Sequence, residues 1–112
     1  MQLTFLGKST QGGGSPTLYA TDRDTYVVQG WRVMSQPSTL VEIPESLLSY
    51  LLPGTELGAA LSPTGKRWRG DSGECDTYTL SGFPVADREA LEQMNIPDHE
   101  SCVEVGKLRK ET

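Results

Sequence analysis

Histidine and cysteine are scarce in this 112-residue chain, which contains one histidine and two cysteines. His99 alone cannot pair with a second histidine to bind a metal, and a Ser-His-Asp triad would have a single candidate base. Cys75 and Cys102 form no CxxC or Cys/His cluster of the kind that binds zinc. We therefore predict free thiols, no metal site and no cofactor.

Long apolar runs and an excess of positive charge are also missing. No apolar run approaches the roughly 18 residues of a membrane-spanning helix. The net charge of −5 argues against a general nucleic-acid binder, which usually needs a strongly basic face. The opening MQLTFL lacks the basic region and cleavage site of a signal peptide, so we expect a cytoplasmic protein. With 36% apolar residues, 12 glycines and 7 prolines, the composition indicates one turn-rich globular domain.

What the chain does contain is an internal duplication. Asp24–Val33 reads DTYVVQGWRV and Asp76–Val85 reads DTYTLSGFPV, with Asp, Thr, Tyr, Gly and Val in the same places. After connectors of different length, Val-Glu-Ile at 41–43 is answered by Val-Glu-Val at 103–105. We predict two related β units, at about 15–52 and 65–108, that pack into one domain.

Alternation predicts the faces of the duplicated strand. Tyr26 and Val28 share one face, and Val27, Trp31 and Val33 share the other. Tyr78 and Leu80 correspond to the first face in the second copy, and Phe83 and Val85 to the second. Gly30 and Gly82 interrupt both copies at the same place, which indicates a bulge or a close backbone approach.

Two short helices are predicted beside the strands. One runs from Pro44 to Leu52, with Pro44 at its first position and a leucine stripe that packs on the sheet. The other follows Asp87 as N-cap, presents Ala90, Leu91 and Met94 on one face, and ends before Pro97. We expect the tail at 106–112 to be frayed. The predicted fold class is α+β: a small β-rich antiparallel domain with two short helices and a pseudo-twofold internal repeat.

Three motifs suggest chemistry that their context does not support. GKS at 7–9 lacks the first glycine and the following helix of a phosphate loop, so 7–16 is predicted to be a flexible loop. GDSG at 70–73 has no triad around it and is predicted to be a turn. RGD at 69–71 is an adhesion tripeptide of secreted proteins, and because the sequence shows no secretion signal we attribute it to chance.

Several candidate sites keep more than one interpretation. Lys66, Arg67, Trp68 and Arg69 form the one basic, aromatic cluster, which could contact single-stranded nucleic acid, contact a protein, or be a half-buried Trp with solvated neighbours. Glu42 and Glu104 occupy equivalent positions and could be paired carboxylates for acid–base chemistry, solvent-facing residues, or partners of nearby basic residues. His99 could be a solvent-exposed histidine of a polar connection, or it could form a catalytic dyad with Cys102.

FLGKSTQGGGSPTLYATDRDTYVVQGWRV and NIPDHESCVEVGKL resemble a group of small actinobacterial proteins that often sit beside helix-turn-helix regulators. The resemblance covers residues 3–33, with 86–105 as its continuation. Lys-Ser…Gly-Gly-Gly and Cys-Val-Glu-Val also resemble the BldB-like developmental regulators, although these pieces lie nearly adjacent in that family. The resemblance implies a regulatory partner or toxin–antitoxin component, often dimeric, and carries over no catalytic residue.

The leading hypothesis is a non-enzymatic cytoplasmic interaction module that binds a partner protein, such as a transcriptional regulator, or a second copy of itself. Edges of the duplicated strand could accept a partner strand. The candidate interaction residues are Lys66, Arg67, Trp68, Arg69, Tyr26, Trp31, Tyr78 and Phe83. The alternatives are a nucleic-acid-binding protein that uses 66–69 and a small cysteine-dependent enzyme that uses Cys102 with His99.

Overall fold

A computed structural model describes residues 1–10, 15–71 and 73–110, which fold into one antiparallel sheet of nine strands with two short helices. The fold is therefore the small β-rich antiparallel type that the sequence predicts. The strands are β1 (Leu3–Lys8), β2 (Thr17–Thr21), β3 (Thr25–Arg32), β4 (Leu40–Pro44), β5 (Thr55–Gly58), β6 (Ser62–Gly70), β7 (Gly73–Ser81), β8 (Phe83–Pro84) and β9 (Glu100–Arg109). The helices are a 3₁₀ helix (Glu45–Tyr50) and α1 (Arg88–Glu92).

Strand pairing, together with the chain connection from β7 to β8, forms a closed circuit. β3 pairs with β2, with β9 and, at Trp31 and Arg32, with β4. β4 pairs with β7, the chain passes from β7 through Gly82 into β8, and β8 pairs with β9. Because β9 pairs back to β3, the ring runs β3–β4–β7–β8–β9. Within the described residues, β1, β5, β6 and β8 each pair with one strand.

Each Val-Glu-Val/Ile strand pairs with the aromatic strand of the other half of the chain. Val41 lies opposite Leu80, and Ile43 lies opposite Tyr78. On β9 the corresponding partners are Val103 opposite Val28 and Val105 opposite Tyr26. The ring is thus held together by contacts between residues far apart in the sequence.

Two apolar clusters pack on the sheet. The larger consists of Leu18, Tyr26, Val28, Val41, Ile43, Leu47, Leu57, Leu80, Val103 and Val105, and the smaller of Leu3, Tyr19, Val27, Ala90 and Cys102. Tyr26 and Val28 fall in one cluster and Val27 in the other, so the alternation predicted for these three residues is confirmed. Trp31 belongs to neither cluster, and Val33 lies after the end of β3. Val85 packs against the smaller cluster as predicted, whereas Phe83 is 77% exposed.

Gly30 and Gly82 lie where strands approach closely, as predicted. A Cβ atom on Gly30 would be 2.6 Å from the carbonyl oxygen of Glu42 on β4. A Cβ atom on Gly82 would be 2.7 Å from the carbonyl oxygen of Glu104 on β9. Both distances are far below van der Waals contact, so a side chain at either position would push the strands apart.

The hairpin turns use residues that tolerate left-handed backbone. Asp24, at the start of the first DTY segment, has φ 58°, and Gly73, at the start of β7, has φ 112°. Asp and Gly adopt these conformations at lower cost than other residues. Their positions fix the registers of the β2–β3 and β6–β7 hairpins.

The helices differ in detail from the prediction. Pro44 is the last residue of β4 and precedes a 3₁₀ helix, so it is not the first helical residue. The leucine stripe does pack on the sheet: Leu47 is buried and Leu48, Leu51 and Leu52 lie against the larger cluster. In α1, Asp87 is the N-cap and accepts a hydrogen bond from the Ala90 N–H. Ala90 is buried and Met94 packs against the smaller cluster, but Leu91 is exposed, since adjacent helical residues point about 100° apart.

The predicted fraying of the tail is wrong for the described part of it. Gly106–Arg109 pair with Gly58–Thr55, and the Lys110 N–H donates to the Gly54 carbonyl at 2.8 Å. Antiparallel pairing with β5 therefore fixes this segment. Residues 11–14 of the predicted flexible loop, Ser72 of GDSG, and residues 111–112 lie outside the described residues. In the part of the chain that is described, no helix is long and apolar enough to cross a membrane.

Candidate functional site

Trp31 and Trp68, the two tryptophans of the chain, meet on the outer face of the sheet. Their ring centroids are 5.6 Å apart and their planes are inclined by 54°. Trp31 is the penultimate residue of β3 and Trp68 lies in β6, and the intervening strands β4 and β7 bring them together. Both side chains are half-buried. The two rings form adjacent walls of a cleft of about 330 Å³, which we call the tryptophan cleft; it is lined by Trp31, Glu42, Lys66, Arg67, Trp68 and Thr77.

The carboxylate of Glu42 lies in the tryptophan cleft and is held by a hydroxyl group. Thr77 Oγ1 donates to Glu42 Oε2 at 2.8 Å, and Thr64 Oγ1 lies 2.5 Å from Thr77 Oγ1. Lys66 Nζ lies 3.5 Å from Glu42 Oε1 in a long ion pair. The Glu42 side chain is 16% exposed and that of Lys66 is 70% exposed. The carboxylate is thus fixed, whereas its cationic partner reaches in from solvent.

The basic residues of the predicted cluster do not form one surface. Arg67 lies opposite Asp76 and Arg69 opposite Glu74 on the β6–β7 hairpin, whereas Trp68 lies opposite Cys75. Alternation therefore directs both arginine side chains to the face away from Trp68.

Carboxylates balance the charges of both arginines. Arg67 Nη1 is 2.8 Å from Asp76 Oδ1, and Arg69 Nη1 is 3.9 Å from Glu74 Oε2. The hydrogen bond that the Arg67 guanidinium donates to Asp76 raises the pKa of Arg67 above its ordinary value.

Gly70 determines where the Trp68 ring lies. A Cβ atom on Gly70 would be 2.2 Å from Trp68 Cη2, so the indole ring lies directly over the Gly70 backbone. Sequence reasoning did not identify the roles of Gly70 and Thr77. The one available signal was that Trp31, Glu42 and Thr77 all belong to the duplicated segments.

No family model, curated protein or solved structure matches the chain. The resemblance to small actinobacterial proteins therefore stays a prediction. What the molecule does has to be inferred from its own geometry.

The other candidate interaction residues lie apart from the tryptophan cleft. Tyr26 is fully buried in the larger apolar cluster and is a core residue. Tyr78 is half-buried, and its hydroxyl donates to Glu45 Oε2 at 3.4 Å. Phe83 is an exposed side chain on β8, opposite Glu104. Of the eight candidates, Lys66, Trp68 and Trp31 line the cleft, and Arg67 borders it while its guanidinium pairs with Asp76.

Glu104 has surroundings that match those of Glu42. Thr25 Oγ1 donates to Glu104 Oε2 at 2.6 Å, and the guanidinium of Arg23 contacts Oε1. Both glutamates therefore accept from a threonine and pair with a basic residue. This arrangement corresponds to the ion-pair interpretation of the two carboxylates.

The surroundings of Cys102 do not favour a thiolate nucleophile. The thiol is buried, and burial raises its pKa to about 11, so little thiolate exists at neutral pH. His99 is exposed, and its Nε2 lies 3.7 Å from Glu100 Oε2. Cys75 and Cys102 are both free thiols. Across residues 1–10, 15–71 and 73–110, no group of three or more His, Cys, Asp and Glu side chains is placed to hold a metal ion.

Glu100 is a buried carboxylate with incomplete hydrogen bonding. Gln29 Nε2 donates to Glu100 Oε1 at 2.7 Å, whereas Oε2 has no hydrogen-bond partner among the described residues. The side chain is fully buried. Burial raises the pKa of Glu100 above its ordinary value, against the opposing hydrogen bond from Gln29 and the charge of His99.

Glu100→Gln is expected to stabilise the fold at neutral pH. Between the ordinary pKa and the raised folded-state pKa, the folded state binds more protons than the unfolded state, so stability falls as pH rises through that window. Glutamine keeps an acceptor for Gln29 and removes the buried charge. Urea unfolding from about pH 4 to about pH 8 should show a flatter pH dependence in the variant. A variant that is less stable with an unchanged pH dependence would contradict this account.

A second, larger groove lies on another part of the surface. It has a volume of about 740 Å³ and is lined mainly by leucine and alanine side chains of the 3₁₀ helix, β5 and the segment after β5. Its charged lining residues are Glu56 and Lys110. None of the candidate interaction residues lines this groove, and it offers few polar groups for specific recognition.

Proposed function

We propose that the protein is a non-enzymatic interaction module that binds a partner protein through the tryptophan cleft. The observation that carries this proposal is the convergence of Trp31 and Trp68, from distant parts of the chain, on one half-exposed cleft. Tryptophan is enriched among the residues that dominate binding energy at protein interfaces. A rigid pair of rings next to a fixed carboxylate offers both apolar area and a polar group for recognition.

Charge balance favours a protein partner over nucleic acid. Phosphate binding needs cations that are free to replace counterions. Arg67 and Arg69 are paired with carboxylates on the face away from Trp68. Lys66 lies beside the fixed carboxylate of Glu42, which repels a phosphate group. The net charge of −5 also disfavours a nucleic-acid partner.

Insertion of a partner side chain is favoured over addition of a partner strand to β6. The β6 edge contains Pro63, which cannot donate a backbone hydrogen bond, and its register shifts between Pro63 and Arg67. Gly65 in this irregular stretch has φ 80°. Proline, bulges and charged residues are features that protect edge strands from pairing. A side chain that enters the tryptophan cleft avoids this edge.

We also infer that the fold arose from an internal duplication. Support comes from register: Val41 opposite Leu80 corresponds to Val103 opposite Val28, and Trp31 opposite Glu42 corresponds to Phe83 opposite Glu104. Phe83 has no counterpart of Trp68 beside it among the ring contacts of the described residues. The β6–β7 hairpin places Trp68 beside Trp31, so that one of the two equivalent positions becomes part of a cleft.

Selection from a random peptide library displayed on phage tests the proposal. Peptides selected on the wild-type protein are expected to lose about thirtyfold in affinity for Trp68→Ala, since truncation of an interface hot spot costs about 2 kcal/mol. Phe83→Ala is the control, because Phe83 is an exposed aromatic at the position equivalent to Trp31 and lies outside the tryptophan cleft. The affinity of the selected peptides for Phe83→Ala should equal their affinity for wild type.

Gly70→Ala provides a second variant that keeps both rings. The new methyl group would displace the Trp68 ring, so binding should weaken although no aromatic side chain is lost. Peptides that bind Trp68→Ala and wild type equally would exclude the tryptophan cleft as the binding site. Comparison of wild type and Trp68→Ala by sedimentation shows whether the protein associates with a second copy through the tryptophan cleft. Salt-sensitive binding of oligo(dT), without binding of peptides, would favour the nucleic-acid alternative.

A further inference from the structure

The geometry points to a cationic side chain, arginine or lysine, as the group of the partner protein that enters the tryptophan cleft, with Lys66 as a built-in competitor for the same carboxylate. This inference rests on the proposed function and specifies its ligand. It follows from the chemistry of the walls, from the state of Glu42 and from the placement of Lys66.

Indole rings attract cations through their faces. Trp is the strongest of the aromatic side chains in this interaction, and a cation within about 6 Å of the ring centroid is held over the face. Among the described residues, the one cation–π contact is Lys107 over Tyr26, at 5.2 Å from the centroid. Trp31 and Trp68 carry no such contact, and both rings line the tryptophan cleft, where a cation can approach them.

Glu42 supplies the negative charge that a bound cation needs. Its Oε2 is held by Thr77, which is itself buried and lies 2.5 Å from Thr64 Oγ1. Oε1 faces Lys66 Nζ at 3.5 Å, which is too long for a strong charge-assisted hydrogen bond. An ion pair between an exposed lysine and a carboxylate contributes little to stability, so exchange for another cation costs little.

The ammonium group of Lys66 lies beside Glu42, in the place that the cation of the ligand would take. It follows Gly65 in the irregular part of β6, and its side chain is 70% exposed. A guanidinium that makes two hydrogen bonds to Glu42 and stacks on an indole face would replace a single long contact. The net charge of −5 further favours approach of a basic segment.

The test uses tryptophan fluorescence, because both tryptophans of the chain lie in the cleft and the signal reports on it alone. The probe is Nα-acetyl-arginine methylamide, with the neutral isostere Nα-acetyl-citrulline methylamide and the anion Nα-acetyl-glutamate as controls. We expect a saturable change with the arginine probe and none with the other two. Equal responses to arginine and citrulline would overturn the inference without any variant.

Two substitutions in the cleft act in opposite directions. Glu42→Gln should weaken binding of the arginine probe about tenfold, as expected for loss of a charge-assisted hydrogen bond. Lys66→Gln should strengthen it about threefold by removal of the competing ammonium. Weaker binding by Lys66→Gln together with a response to acetyl-glutamate would overturn the inference in favour of an anionic ligand.

The peptide selection separates this inference from the proposed function. Selected peptides should contain arginine or lysine, and replacement of that residue by citrulline or norleucine should abolish their sensitivity to Glu42→Gln. Peptides that need Trp68 for binding but contain no basic residue would support the interaction module and refute the inference that its ligand is a cationic side chain.

Discussion

Gly30→Ala is expected to lower the free energy of unfolding by about 3 kcal/mol, the upper part of the range for overpacking in a close-packed interior. The new methyl group would lie 2.6 Å from the Glu42 carbonyl oxygen and 2.8 Å from Ile43 Cγ2. The first of these atoms is backbone in a paired strand and has no rotamer by which to move away. Relief therefore requires β4 to move from β3, which opens the ring of strands. Urea unfolding followed by circular dichroism measures the loss.

Gly82→Ala and Gly106→Ala complete the experiment. Gly82 is in a similar environment, because its methyl group would lie 2.7 Å from the Glu104 carbonyl oxygen, and a loss of similar size is expected. No heavy atom lies within 4 Å of a Cβ atom on Gly106, so that alanine should leave stability unchanged or raise it by up to about 1 kcal/mol. If all three variants unfold at the same urea concentration, the close approach of strands at Gly30 and Gly82 does not limit side-chain size, contrary to this account.

Tyr26→Phe is expected to cost about 2 kcal/mol, because removal of the hydroxyl leaves buried polar groups unpaired. The Leu52 N–H donates to the Tyr26 hydroxyl at 2.9 Å. That hydroxyl lies 2.5 Å from Thr55 Oγ1, which in turn donates to the Leu52 carbonyl at 2.7 Å. The cycle joins β3 to the turn before β5, so its loss should also increase hydrogen exchange at the Leu52 amide.

Tyr50→Phe is the matched control. Tyr50 is 41% exposed, its ring lies against Gly7, and its hydroxyl makes no hydrogen bond within the described ranges, so a change below about 0.5 kcal/mol is expected. Thr55→Val combined with Tyr26→Phe gives a double-mutant cycle. Strictly additive losses would show that the two hydroxyls are not coupled, contrary to the short distance between them.

Local features of the fold were predictable because they depend on alternation and on backbone chemistry. The two faces of β3, the close approach at Gly30 and Gly82, and the capping role of Asp87 all follow from residue type and spacing. The 3₁₀ form of the helix after Pro44 did not follow. Its leucine spacing suits either helix type, and β4 holds Pro44 in extended backbone at φ −78° and ψ 149°.

The site was predictable only in part, since it depends on contacts between distant strands. Trp31 and Trp68 were both identified as candidates, but their contact requires β4 to pair with β3 on one side and with β7 on the other. The split of the basic cluster could have been foreseen. Once 66–70 is placed in a strand, alternation separates Trp68 from Arg67 and Arg69.

The ring of strands also constrains the order in which the chain can acquire structure during synthesis. β3 needs β9, so the edge of β3 that β9 covers stays open until residues 100–109 have left the ribosome. By then the 3₁₀ helix, β5 and the β6–β7 hairpin have already emerged. Folding of the ring is therefore a late event that depends on long-range pairing, and such topologies fold slowly. A nascent chain truncated before β9 should remain sensitive to protease along β3, even though its local hairpins can already form.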